Sequence, residues 1–131
     1  ILTQSLGSSI ADAATTVVSG GPLLVENGRV NVRTAEEQMA PDIARGRAPR
    51  TAVGLKPDGT LLMLVIDGRS SASAGMTLAE LAQYFVKLGA VSAVNYDGGG
   101  SSEMVINGKI VNKPSDGRER LVSIGLGLFI K

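Results

Sequence analysis

The chain has 131 residues, 44% of them apolar and 19% charged, with a formal net charge of +1. That is enough apolar residue for one core, and it gives no electrostatic case for a nucleic-acid partner. There is no cysteine and no histidine, which excludes disulfides, thiolate nucleophiles, Cys/His zinc sites and imidazole catalysis, so acid–base chemistry falls to Asp, Glu, Lys or Tyr and anion binding to Arg, Lys or backbone N–H.

In chain order, residues 2–18 suggest a short helix weakened by Gly7 and by several Ser and Thr. The start, ILTQSLGSSIADA, has no basic segment and no initiator Met, so no signal peptide is expected there and the chain reads as a processed product or a fragment. Gly20-Gly21-Pro22 ends any helix. LLVENGRVNV reads as a hairpin around Asn27-Gly28, a pair that supplies the positive φ values of a tight turn. Residues 34–49 are polar with two prolines and read as a loop with one helical turn. TAVGLKPDGTLLMLVI is two strands joined by Lys56-Pro57-Asp58-Gly59, and the uninterrupted LLMLVI run predicts burial on both faces.

Residues 77–88 carry the clearest helix signal. Thr77 and Glu80 form a T-x-x-E capping box. Leu78, Leu81, Phe85 and Leu88 mark one face, and Gly89 stops the helix. AVSAV is a short core strand. SEMVINGKIVN is a second hairpin around Asn107-Gly108, and LVSIGLGLFI is expected to be the last strand. LVENGRVNV and MVINGKIVN resemble each other as two similar hairpins, without a repeat period. No apolar run reaches the ~18 residues of a membrane-spanning helix. The order predicts an α+β fold with a mixed, largely antiparallel sheet and few helices.

Four polar constellations stand out, and three of them follow or precede a predicted core strand. Asp97-Gly98-Gly99-Gly100-Ser101-Ser102 follows a core strand, where a run of N–H groups can cradle a phosphate or oxyanion and Asp97 can serve as a catalytic carboxylate. A glycine-rich turn capped by Asp97 fits the same residues equally well. Pro49-Arg50-Thr51 offers a bidentate guanidinium if Arg50 points inward, or a surface charge if it does not. Residues 112–120 carry five charges between two apolar strands, as either a long hairpin loop or a functional loop. Asp67-Gly68-Arg69 precedes a small-residue run that could be a lid or simply a loop. A cleft at strand ends is a default place for a site.

These motifs carry a resemblance. PRTAVGLKPDGTLLMLVIDGR, GMTLAELAQYFVKLGAVSAVNYDGGGSSEMVING and NKPSDGRERLVSIGLGLFI are similar to the phosphodiester glycosidase family, which includes the lysosomal-pathway uncovering enzyme and bacterial exopolysaccharide-related proteins. The resemblance runs from about Gly20 to Lys131. It implies hydrolysis of a sugar-1-phosphodiester at its glycosidic bond, on a cell-surface or secreted glycoconjugate in an extracytoplasmic setting. A non-catalytic sugar-phosphate or polysaccharide binding module of the cell envelope is the alternative.

By motif position, the resemblance carries Arg50, Thr51, Asp67, Gly68, Asp97, Gly98, Gly99, Gly100, Ser101, Ser115 and Asp116 into the expected site, with Arg120 as the basic residue before the final strand. Chemical type makes Asp97 the first choice of catalytic carboxylate, with Asp116 and then Asp67 behind it, and puts Arg50 and Arg120 on phosphate. No cofactor is required by this scheme. Ca²⁺ or Mg²⁺ near Asp67, Asp97 or Asp116 is the less favoured option, because no dedicated ligand spacing is present. Family domains are longer and carry an amino-terminal Asn-and-aromatic motif with no counterpart here. Residues 1–131 are therefore expected to be the carboxy-terminal part of a domain. Its expected partners are the carbohydrate phosphodiester substrate and either its own amino-terminal half or a second copy in a homo-oligomer.

Overall fold

The computed structural model describes residues 18–129. Residues 2–17 of the first expected helix lie outside them. Five strands form one sheet: β1 (Leu23–Glu26), β2 (Arg29–Val30), β3 (Arg50–Leu55), β4 (Leu61–Ile66) and β5 (Ser92–Asn95), in the order β2-β1-β5-β3-β4. Every ladder is antiparallel, in keeping with the expected α+β fold with a largely antiparallel sheet and few helices. Helix α1 (Pro41–Ala44) is one turn, and α2 (Leu78–Lys87) is the only long helix among the described residues. β6 (Val105–Ile106) and β7 (Lys109–Ile110) form a separate hairpin.

Both Asn-Gly turns form as their chemistry requires. Asn27 and Gly28 have φ 51° and 72°, and Asn107 and Gly108 have φ 51° and 74°. The capping box of α2 is complete: Thr77 Oγ1 accepts from Glu80 N–H at 3.2 Å, and Glu80 Oε2 accepts from Thr77 N–H at 2.9 Å. Leu78, Leu81, Ala82 and Phe85 of α2 bury against Leu24, Val25, Ala52 and Ala93 of the sheet. Fully burying a side chain the size of Phe85 contributes about 2–3 kcal/mol. Gly54 makes room for that ring, since a Cβ there would lie 2.6 Å from it.

Two strand expectations are corrected. β4 is an edge strand and half-buried, with Leu61 exposed, where the apolar run predicted burial on both faces. The residues 121–129, expected to be the last strand, pair with no described strand and are exposed, Leu121 at 99% and Phe129 at 92%. A strand is stabilised by its neighbours, and Gly125 and Gly127 weaken this segment's own preference.

The sheet's directions gather the polar constellations. β3 starts where β4 and β5 end, because Arg50 pairs with Ile66 and Ala52 with Asn95. Pro49-Arg50, Asp67-Gly68-Arg69 and Tyr96-Asp97-Gly98 therefore emerge at one end of the sheet.

Candidate active site

At that end the chain after β5 folds into a single 3-10 turn, Gly99–Ser101. Each of the three glycines is needed for a different reason. A Cβ on Gly98 would lie 2.8 Å from the Pro49 carbonyl oxygen. Gly99 has φ +61°, and a Cβ there would sit 3.2–3.5 Å from the Arg69 guanidinium. A Cβ on Gly100 would fall 2.6 Å from Asp116 Oδ1 and closer still to Oδ2. The run thus admits backbone, guanidinium and carboxylate at direct contact with the main chain. The expected nest of free N–H groups does not form in full. Gly99 N–H donates to the Pro49 carbonyl at 2.9 Å, Ser101 N–H to Gly98 at 3.1 Å and Ser102 N–H to Gly99 at 3.2 Å.

The three expected carboxylates are in different states. Asp97 is exposed, and no donor among the described residues engages its side chain. Asp116 sits over Gly100 and pairs with Arg120 at 3.5 Å, both about half exposed. A pair of that kind contributes little to stability and leaves the guanidinium free to turn. Asp67 is engaged by the protein itself. Its Oδ1 accepts from Asn112 Nδ2 and from Lys113 N–H, each at 3.0 Å, and Oδ2 accepts from Lys113 N–H at 3.2 Å. It pins the 112–116 loop to the end of β4. No group of three or more acidic side chains converges among the described residues.

Arg50 does not face this cluster. It is 3% exposed and donates to the carbonyls of Met76 (3.0 Å), Ile43 (3.2 Å) and Gly46 (3.2 Å). Burial lowers its pKa from the ordinary guanidinium value. All three bonds go to main chain, so Arg50 braces α1, the loop after it and the approach to α2 where a phosphate contact was expected. Gly68 is likewise a packing glycine: a Cβ would meet Pro49 N at 2.8 Å and Gly75 Cα at 3.0 Å. Thr51 accepts Tyr96 N–H on its carbonyl at 2.8 Å. Its hydroxyl, those of Ser102 and Ser115, and Asn95 Oδ1 are buried without a partner among the described residues.

Two residues left out of the expected site are central to it. Asn112 accepts Met104 N–H at 2.8 Å and donates to Asp67 and to the Ser102 carbonyl at 3.0 Å. It closes the β6–β7 hairpin and, through the loop that follows, sets Asp116 over Gly100. Its signal was its place directly before the Lys-Pro-Ser-Asp turn. Arg69 was legible only as a charge in Asp67-Gly68-Arg69.

A match to the phosphodiester glycosidase family covers residues 2–129. The chain belongs to that family. It is 41% identical over 90 residues to the SPbeta prophage-derived uncharacterized protein YomE of Bacillus subtilis, covering 69% of this chain and 14% of that protein. It is 31% identical over 109 residues to human N-acetylglucosamine-1-phosphodiester alpha-N-acetylglucosaminidase, covering 76% of this chain and 21% of that enzyme. The zebrafish catalytic domain of the same enzyme, auto-inhibited by its pro-peptide, superposes with a TM-score of 0.65 at 29% identity, over 75% of this chain and 34% of that one. The chain thus spans a small part of the curated relatives it matches. No helix among the described residues is long and apolar enough to cross a membrane.

Proposed function

We propose that this chain carries the carboxylate-and-arginine part of a site that hydrolyses the glycosidic bond of a sugar-1-phosphodiester. What carries the reading is the seating of Asp116 against Gly100, one turn from Asp97, in a chain of the phosphodiester glycosidase family. In the reaction water adds to the anomeric carbon, the bond from that carbon to the phosphate oxygen breaks, and a free sugar and a phosphomonoester leave. The phosphomonoester departs as a stabilised anion, so a strong general acid is not demanded. Asp97, free and facing solvent, takes the proton of the attacking water or adds to the anomeric carbon itself. Asp116 and Arg120 hold the other side of the glycine run. Asp67 acts as a positioning residue through Asn112 and Lys113.

The setting we propose is extracytoplasmic, on a cell-surface or secreted glycoconjugate. A Burkholderia pseudomallei structure with a TM-score of 0.52, 54% identical over 53% of this chain, is of a protein whose working name is that of an exported protein. The second reading is a sugar-phosphate binding module without turnover. Hydrolysis of sugar-1-phosphodiesters in ¹⁸O-labelled water tests the proposal. Label in the sugar hydroxyl is the expected result. Label in the phosphate would mean cleavage at phosphorus and overturn the assignment, and binding without product would favour the module.

A further inference from the structure

We infer that Arg69 is the residue that grips the phosphate of the ligand, a role which rests on the reading above for the phosphodiester but not for phosphate itself. Its backbone lies in the left-handed region, φ 55°, where a side chain bearing a Cβ is disfavoured and glycine or asparagine would be cheaper. Both flanks hold it there. On one side Gly68 is wedged between Pro49 and Gly75, and the Asp67 carbonyl accepts from Ser73 Oγ at 2.6 Å. On the other, Ser70 N–H donates to the Ser73 carbonyl at 3.0 Å, and Ser73 N–H donates to Ser70 Oγ at 3.1 Å. The run expected as a lid or a plain loop is thus a tied turn. Backbone strain of this kind persists where the surroundings over-determine it, and it gathers at functional sites.

The strained turn aims the guanidinium at the main chain of Gly99, where a Cβ would lie 3.2 Å from Nη2 and 3.3 Å from Nη1. Asp116 occupies the next position along, over Gly100. Of the other arginines around this end, Arg50 is committed to three carbonyls and Arg47 to Glu80 and the Gly75 carbonyl, Arg120 pairs loosely with Asp116 at 3.5 Å, and Arg118 is exposed on the 112–120 loop without a contact to the glycine run among the described residues. Arg69 is exposed and makes no hydrogen bond or ion pair among the described residues. A planar, uncommitted fork held against a glycine backbone suits bidentate contact with two phosphate oxygens, which lysine cannot reproduce.

The test is calorimetric titration of phenyl phosphate into the full-length protein and its variants. Arg69→Gln and Arg69→Gly are expected to weaken binding roughly tenfold or more, and Arg69→Lys to recover only part of it. Arg29→Gln, on β2, is expected to stay within twofold of the parent. Arg69→Gly relieves the left-handed strain, so its Tm is expected within about 3 °C of the parent. Affinity of Arg69→Gln or Arg69→Gly within twofold of the parent would overturn the assignment, as would a parent protein that fails to bind phenyl phosphate. Arg69-dependent binding without sugar release would sink the hydrolytic reading and leave Arg69 standing. Sugar release with Arg69-independent binding would do the reverse.

Discussion

The Asp116 carboxylate occupies the space that a Cβ on Gly100 would fill. The two residues are brought together by Asp67 and Asn112, which tie the start of the 112–116 loop to the end of β4 and to Ser102. Gly100→Ala is therefore expected to push the carboxylate off the turn. Because the obstructing atoms end a flexible side chain, stability should change by less than about 1 kcal/mol. Sugar release should fall by about tenfold or more. Thermal unfolding and initial rates on one preparation check this, and a variant that unfolds in step with its loss of activity would contradict it.

Arg50 makes the opposite prediction. Replacing it with Met leaves the Ile43 and Gly46 carbonyls without their side-chain donor and the Met76 carbonyl with only the Ala48 N–H at 3.3 Å, at a cost of about 2–4 kcal/mol. Arg50→Lys should not rescue it, because one ammonium cannot span three carbonyls. Denaturant unfolding measures the loss. Full stability with weakened phosphate binding would return Arg50 to the site.

How far the sequence could be read depended on how local each signal was. The α2 cap and both Asn-Gly turns were legible because each is decided within four residues. The edge position of β4 was not, because an apolar run records hydrophobicity but not strand order. Arg50 shows the same limit in a side chain: its donors were plain from its type, but its acceptors, in α1, at Gly46 and at Met76, are placed by tertiary packing. Asn112 could not be seen as a junction because two of its partners, Asp67 and Ser102, lie 45 and 10 residues away.

Asp67→Asn should loosen the 112–116 loop without unfolding the sheet. The neutral amide accepts more weakly than the carboxylate from Asn112 and Lys113. Hydrogen exchange at the Lys113 amide is expected to speed up by about tenfold, while the amides of β3 and β5 keep their protection. Unchanged exchange at Lys113 would remove Asp67 from its positioning role.

Glu80 gives a pH dependence. The Thr77 backbone N–H, then the Thr77 hydroxyl and the nearby Arg47, hold its carboxyl below the ordinary value of 4.5. A depressed folded-state pKa stabilises the protein fully above the unfolded value, and that stabilisation is lost as pH falls through the folded value. The stability advantage of the parent over Glu80→Gln should therefore be constant above pH 5 and shrink below 4.5. Urea unfolding at a series of pH values measures it, and an advantage that grows on acidification would contradict the assignment.

The most direct measurement is sugar release from a panel of sugar-1-phosphodiesters by the full-length protein, Asp97→Asn and Asp116→Asn, each with its Tm. The account predicts that the parent is active, and that Asp97→Asn loses about 10²–10⁴-fold with an unchanged Tm. It predicts a loss of at least tenfold for Asp116→Asn. Parental rates in both variants would contradict the claim that the carboxylates flanking the glycine run carry the chemistry.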